Sequence, residues 1–340
     1  MPKTALHRFA LLTAVSTFAL IFIGGLVTST GSGLSVPDWP TTYGENMFTF
    51  PIDKWVGGIK YEHGHRLFAS FVGFLTTILA VWLAFKEERK WVRGLGFAAL
   101  AAVIVQGILG GLTVLYLLPT AVSVSHGMLA QTFFCMVATI ALVTSPWWNS
   151  AAESLDDERG RPLQFIAGIA VGAVFLQLLF GALLRHTYSG LAVPDFPLAH
   201  GQIFPSLSAD SLGAYNQRLI DEGFKWKGDT PVQAYQIVIH LLHRYWAYAV
   251  AGLVFYLGYR LKNSSAVPKR MQSVGIVLMS LITAQFTLGV LTILSHKEFI
   301  ITSFHVVIGA LVLVTCFLTL IAVIRLRWVF SFENGRIRHD

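Results

Sequence analysis

Eight runs of apolar residues, each about twenty long, leave this 340-residue chain little room for anything else. About twenty consecutive apolar residues let a helix cross the hydrocarbon core of a bilayer. The runs are 10–28, 67–85, 95–118, 121–143, 165–184, 234–259, 274–294 and 299–324. Charged residues make up only 13% of the chain, against about 25% in a soluble domain. The expected fold class is therefore an all-α integral membrane protein with eight transmembrane helices. Disorder, a nucleic-acid-binding domain and a secreted disulfide scaffold are excluded; Cys135 and Cys316 both lie inside apolar runs. The first run reads as a retained span, because no small-residue cleavage site follows it and the chain passes straight into a Gly/Pro loop.

The net charge of +7 reports basic loops rather than a nucleic-acid partner. Lys3 and Arg8 precede the first span. Lys86, Arg89, Lys90 and Arg93 follow the second, Arg159 and Arg161 the fourth, and Arg260, Lys262, Lys269 and Arg270 the sixth. Arg325, Arg327, Arg336 and Arg338 follow the eighth. All fall on one side, which the positive-inside rule makes cytoplasmic. Both termini are then cytoplasmic, and the long loops 30–61 and 186–233 face outward.

The halves repeat each other. Gly33-Leu34-Ser35-Val36-Pro37-Asp38-Trp39-Pro40 recurs 157 residues on as Gly190-Leu191-Ala192-Val193-Pro194-Asp195-Phe196-Pro197. His65-Arg66 recurs as His243-Arg244, an offset of 178, so the second outer loop is longer by 21. Gln106-xxx-Gly110-x-Leu112-Thr113 recurs as Gln285-xxx-Gly289-x-Leu291-Thr292, and His126 as His305, both offset by 179. Four spans per half make the repeat parallel, with a pseudo-twofold axis along the membrane normal. The expected organisation is two four-helix bundles, 1–150 and 151–340.

Four of the eleven histidines, His65, His126, His243 and His305, occupy repeat-equivalent places near the outer ends of the even-numbered spans. Ionisable residues inside a membrane face the bundle interior and are functional by default. Two imidazoles on neighbouring helices can ligate a heme iron from both faces, and four-helix bundles hold cofactors between facing helices. The pairs are expected within each half, with Gly64, Ala69, Gly127 and Gly309 leaving room for a porphyrin. Copper and zinc also take imidazole, but no Met or carboxylate recurs at that depth in both halves. His7, His63, His186, His200, His240, His296 and His339 form no set.

Glu62 stands three residues before His65 and shares its helix face, whereas the equivalent position in the second half is His240. One histidine pair thus has a carboxylate beside it and the other does not, which suggests chemistry at one site and electron transfer at the other; the alternative is an interfacial carboxylate, solvated or paired with Arg66. Arg66 and Arg244 are candidate contacts to heme propionates, which Arg binds bidentately, or interfacial side chains reaching for the headgroups. The Val-Pro-Asp-aromatic-Pro segments cannot continue as helix and read as turns capping a site or as purely structural turns. Gln106 and Gln285 are expected to bond across helices.

As a set, Gly24-Gly25-Leu26-Val27-Thr28, the two Gly-to-Pro loops, Glu62-xx-His65-Arg66, His126-Gly127, His243-Arg244 and His305 resemble heme A synthase, the membrane-enzyme family that includes the mitochondrial Cox15-type proteins. The resemblance runs over all eight spans. It implies oxidation of the C8 methyl of heme O to a formyl group, giving heme A for terminal oxidases. It implies a heme b cofactor on His243 and His305, the substrate heme on His65 and His126, and Glu62 as the functional carboxylate. It also implies a bacterial plasma (inner) membrane, with heme O synthase and an electron acceptor or donor as partners. One branch of the family carries a cysteine pair in the first outer loop; residues 30–61 hold none, so this chain resembles the cysteine-free branch. The alternatives are a diheme b-type electron-transfer cytochrome, which would have equivalent sites in both halves, and a parallel-repeat transporter, which needs charge in mid-membrane.

Overall fold

The computed structural model describes residues 3–150, 153–223 and 231–333; His339, Arg336 and Arg338 lie outside them. Among the described residues nine α-helices follow in order: α1 (Lys3–Ser29), α2 (Ile59–Lys86), α3 (Lys90–Leu115), α4 (Thr120–Val143), α5 (Asp157–His186), α6 (Ala209–Asp221), α7 (Ala234–Asn263), α8 (Lys269–Leu294) and α9 (Phe299–Glu333). All except α6 are long and apolar enough to cross a membrane. The chain is an all-α, multi-pass membrane protein. Helix is the form that satisfies every backbone group within one segment, as a hydrocarbon solvent requires.

The helices overrun the apolar runs. α1 begins at Lys3 rather than 10, α2 at Ile59 rather than 67, and α9 continues to Glu333 rather than 324. At the start of α2 the reason is visible. Glu62, His63 and Arg66 are polar, yet their side chains find partners inside the protein, so the helix continues where hydropathy stops. The helix α6 was not expected. It lies within the 186–233 loop, and the Ser208 hydroxyl caps it by accepting from the Ser211 amide.

In the first half, α1 packs on α2 and α4, α2 on α3, and α3 on α4. In the second, α5 packs on α7 and α9, α7 on α8, and α8 on α9. The halves meet through α1 against α9, and α4 against α5 and α9. One hydrophobic core runs through both, from Ala10 and Leu79 to Val254 and Leu326. Small residues set the tightest crossing. A Cβ on Gly275 would lie 2.5 Å from the Gly258 carbonyl oxygen, so α7 and α8 touch backbone to backbone.

Polar ties fix the joint between halves at both ends. At the long-loop end Arg185 Nη2 donates to Ser29 Oγ at 2.6 Å, and Ser303 Oγ donates to the same oxygen at 3.2 Å. At the opposite end Arg325 donates to the carbonyls of Trp147, Trp148 and Ser150 and lies over both indoles.

Candidate functional site

Each of the four repeat histidines rests on a glycine of a neighbouring helix. A Cβ on Gly24 would lie 3.1 Å from His65 Cε1, and one on Gly110 would lie 3.2 Å from His126 Cε1. In the second half the distances are 3.1 Å from Gly181 to His243 and 3.0 Å from Gly289 to His305. One rule covers all four: a helix lacking a side chain at that level makes room for the edge of an imidazole. These glycines lie in the repeated segments, and that was the signal for their role. Sequence reasoning instead assigned space to Gly64, Gly127 and Gly309. Gly64 and Gly127 do face open space, but Gly309 is filled by the Gln285 amide and Leu178.

The histidines interact within their own halves. His65 has His126 and Arg66 as charged neighbours, and His243 has His305, His240 and Arg244. The rings of His243 and His305 stand 6.4 Å apart between centroids at 81°. Two imidazole nitrogens each about 2 Å from one metal put ring centroids roughly 6 Å apart, so this pair fits a single ion between two rings. His305 Nδ1 donates to the Gln285 carbonyl at 3.2 Å, which leaves Nε2 with its lone pair free. Gln177 Nε2 bonds the His243 carbonyl at 3.0 Å; sequence reasoning missed this residue because Leu20 stands at its place in the first half. Gln106 Nε2 bonds the His126 carbonyl at 2.9 Å across helices, as expected. His65 Nδ1 and His126 Nδ1 are buried without a partner, the condition of a nitrogen that has a ligand to meet. Among the described residues, no three His, Cys, Asp or Glu side chains converge on a common point. The donor set is therefore two pairs of imidazoles, which fits a metal whose other ligands belong to a macrocycle.

Around these pairs the two outer turns are built alike. Asp38 accepts from the Tyr43 and Gly44 amides at 2.7 and 2.8 Å, and Asp195 from the His200 and Gly201 amides at 2.7 and 2.8 Å. Tyr43 and His200 both adopt positive φ, as do the glycines after them. Burial pushes the Asp38 carboxyl up, but hydrogen bonds from Thr41, Gly44 and Tyr43 outweigh it and hold the group below its ordinary value. Arg66 and Arg244 clamp these turns onto α2 and α7. Arg66 donates to the carbonyls of Asp38, Thr41 and Val36 at 2.6, 3.1 and 2.9 Å. Arg244 donates to the carbonyls of Leu198 and Val193, the equivalents of Thr41 and Val36. Arg244 Nε is buried without a partner, so this guanidinium keeps a donor beyond those given to the loop carbonyls.

The halves differ in what steadies each clamp. Arg66 Nη2 pairs with Glu62 Oε1 at 2.6 Å, and Glu62 Oε2 accepts the Val36 amide at 2.9 Å. Both groups are nearly buried. In the second half Arg244 Nη2 donates to His240 Nε2 at 3.1 Å, so His240 is neutral there and its Nδ1–H goes to the Ser189 carbonyl. The same i,i+4 partnership thus carries no net charge beside His65 and a net positive charge beside His243.

The family model described as a cytochrome oxidase assembly protein, COX15-CtaA, matches residues 7–56 and 49–317. The match reaches into all nine helices, ending within α9, and includes all four histidines. The chain belongs to this family. Several relatives are named heme A synthase. One from Sphingopyxis alaskensis is 27% identical over 337 residues, covering 90% of this chain and 88% of its own. Another, from Halalkalibacterium halodurans, is 26% identical over 334 residues, covering 93% and 97%. A third, from Shewanella oneidensis, is 24% identical over 348 residues, covering 96% and 98%. Within this COX15-CtaA chain, His63 sits in an aromatic box of Phe50 and Trp55 with its Nδ1 on Thr42. His200 stacks on Tyr215 of α6 at 3.9 Å between centroids. Both are side chains that hold loops to the bundle.

Proposed function

We propose that this chain is a heme A synthase that oxidises the C8 methyl of heme O to a formyl group, giving heme A for terminal oxidases. The observation that carries the reading is the four glycine-seated imidazoles, two in each half, together with membership of the family. A methyl C–H bond is too strong for side chains alone, so a redox cofactor is needed. A heme b held by His243 and His305 supplies one-electron redox chemistry in the second half, 151–340. His65 and His126, in the first half, 1–150, hold the iron of the substrate.

The roles of the chain's own residues follow. The Gln285 carbonyl fixes the tautomer of His305, and Gln177 restrains His243, as suits a permanently ligated pair. His65 and His126 lack such ring partners, as suits ligands that accept and release a substrate. Glu62 is the carboxylate on the helix that bears His65, three residues before it. Removal of two electrons and one proton from the methyl, the electrons leaving to a separate partner, gives an electron-poor carbon conjugated with the porphyrin. Water adds to it as an alcohol with release of a second proton, and a second such round gives the hydrated aldehyde, which loses water to the formyl group. Glu62 stabilises that positive charge and accepts the proton from water. Arg66 and Arg244 hold the Asp38 and Asp195 turns over the two sites. The farnesyl tail of heme O extends into lipid. The protein lies in a bacterial plasma membrane with both termini cytoplasmic, receives heme O from heme O synthase and passes electrons to a separate partner.

Extraction of hemes from cells making this protein with a heme O supply tests the reading. Heme A should accumulate, and His65→Ala or His126→Ala should leave heme O unconverted while heme b stays bound. Heme O unchanged by the unaltered protein, with two hemes b per chain, would replace the reading by a diheme electron-transfer cytochrome.

A further inference from the structure

The two halves diverge at one pair of positions that lies outside the histidines, the clamps and the turns. Arg185, the penultimate residue of α5, corresponds to Thr28 of α1. Lys297, between α8 and α9, corresponds to Leu118, between α3 and α4. The backbone verifies the second correspondence. Leu117 and Leu118 have φ of 59° and 61°, and His296 and Lys297 have φ of 54° and 65°. Leu118 packs on Gly33, and the Lys297 stem packs on Gly190, the repeat equivalent of Gly33. One scaffold therefore presents a threonine and a leucine in the first half and two cations in the second.

Those cations are neighbours without an anion. The Lys297 stem and Leu184, the residue before Arg185, both lie against Gly190, and Arg185 shares Ser29 Oγ with Ser303, two residues before His305. Arg185 donates to a neutral hydroxyl, Ser29 Oγ, at 2.6 Å. Glu298 turns the other way, capping α9 through the Ile301 amide at 2.8 Å. Among the described residues no carboxylate lies within ion-pair reach of either cation. Burial, then the charge of Arg185, lowers the Lys297 pKa. Two like charges held together away from water are costly unless an anion joins them. Carboxylates are good partners for both, bidentate to Arg and as a point contact to Lys.

We propose that Arg185 and Lys297 receive the two carboxylates of the tetrapyrrole held by His243 and His305, and that the neutral pair Thr28 and Leu118 leaves the first-half tetrapyrrole free to exchange. The proposal rests on the reading that the second half holds a resident heme. It assigns the difference between cofactor and substrate site to carboxylate anchoring as well as to axial ligation.

The test uses purified full-length protein carrying its heme. Arg185→Gln, Lys297→Met and the double variant are mixed with an excess of a heme-scavenging apoprotein, and the rate of heme b loss is followed. The double variant should lose heme about ten- to a hundredfold faster, the effect of one or two charge-assisted hydrogen bonds. The midpoint potential of the remaining heme should fall, because removing positive charge favours the ferric state. Lys297→Met alone should show a smaller change in the same direction, and it leaves the Ser29 bond intact. Thr28→Arg with Leu118→Lys should slow release of heme from the first half. Unchanged loss rate and potential in the double variant, with heme b lost in His243→Ala, would overturn the carboxylate clamp and leave the resident-heme reading standing. Heme b kept in both His243→Ala and His305→Ala would overturn that reading and the proposal with it. If the variants differ from the parent only before anionic lipid is stripped, the cations hold a phosphate headgroup and the proposal is wrong.

Discussion

Glu62 Oε1 meets Arg66 Nη2 at 2.6 Å across one turn of α2, while the other carboxylate oxygen takes the Val36 amide at 2.9 Å. One side chain therefore joins the helix bearing His65 to the turn that covers it. Glu62→Gln keeps the shape but sets an NH2 group against an N–H donor, at a cost of about 1–3 kcal/mol. The variant should fold and keep heme b, and heme A formation should fall about 10²–10⁴-fold. Heme O, the alcohol intermediate and heme A extracted from cells measure this. Less protein with undiminished heme A per molecule would instead make Glu62 a purely structural tie.

The glycine seats predict a graded loss of heme. Gly289→Ala, whose added carbon would meet His305 Cε1 at 3.0 Å, should lower heme b per protein at normal expression. Gly24→Ala, at 3.1 Å from His65, should spare heme b and reduce heme A. Gly168→Ala, where a Cβ meets nothing within 4 Å, should change neither. Pigment-to-protein ratios in purified samples decide it. Equal ratios in Gly289→Ala and the parent would show that the ring has room to spare.

The His240–Arg244 pair carries the charge that Glu62 removes in the other half. His240→Glu gives the second half the acid–base pair of the first while keeping an acceptor for Arg244. A negative charge there stabilises ferric iron, so redox titration should show a lower midpoint potential for the heme b. An unchanged potential would mean that the pair is screened from the cofactor.

His200 predicts a pH effect on the second outer loop. Burial, opposed by the Ala192 carbonyl and Asp195, lowers its pKa below the ordinary 6.5. A base whose folded pKa is lowered contributes stability that is full above 6.5 and is lost as pH falls through the folded value. Hydrogen exchange in α6, which docks through Tyr215 on the His200 ring, should therefore quicken on acidification below 6.5. In the first half Tyr43 holds the equivalent carbonyl, Ser35, through its hydroxyl at 2.6 Å. His200→Tyr should accordingly abolish the acid sensitivity. Persistence of that sensitivity in the variant would place its origin elsewhere.

Much of this arrangement was legible because duplication doubles every signal. The eight spans, the four histidines and the contrast of Glu62 with His240 need only apolar runs and constant offsets. The glycine seats were in plain view as repeat anchors, but a glycine does not announce which side chain it admits. The arginine clamps were not legible for a different reason. Their acceptors are carbonyls of Val36, Val193 and Leu198, and every residue carries a carbonyl, so no letter in the chain marks them. Gln177 and α6 escaped because each lacks a counterpart in the first half.

α9 touches α1, α4, α5 and α8, and its Arg325 closes over the Trp147-Trp148 corner made half a chain earlier. During synthesis the ribosome delivers this span after the other seven. Until it enters the bilayer, α1 and α4 present to lipid the faces that α9 will cover, and His243 waits without His305. Insertion of this span thus brings His305 to His243 and joins the two halves in a single event.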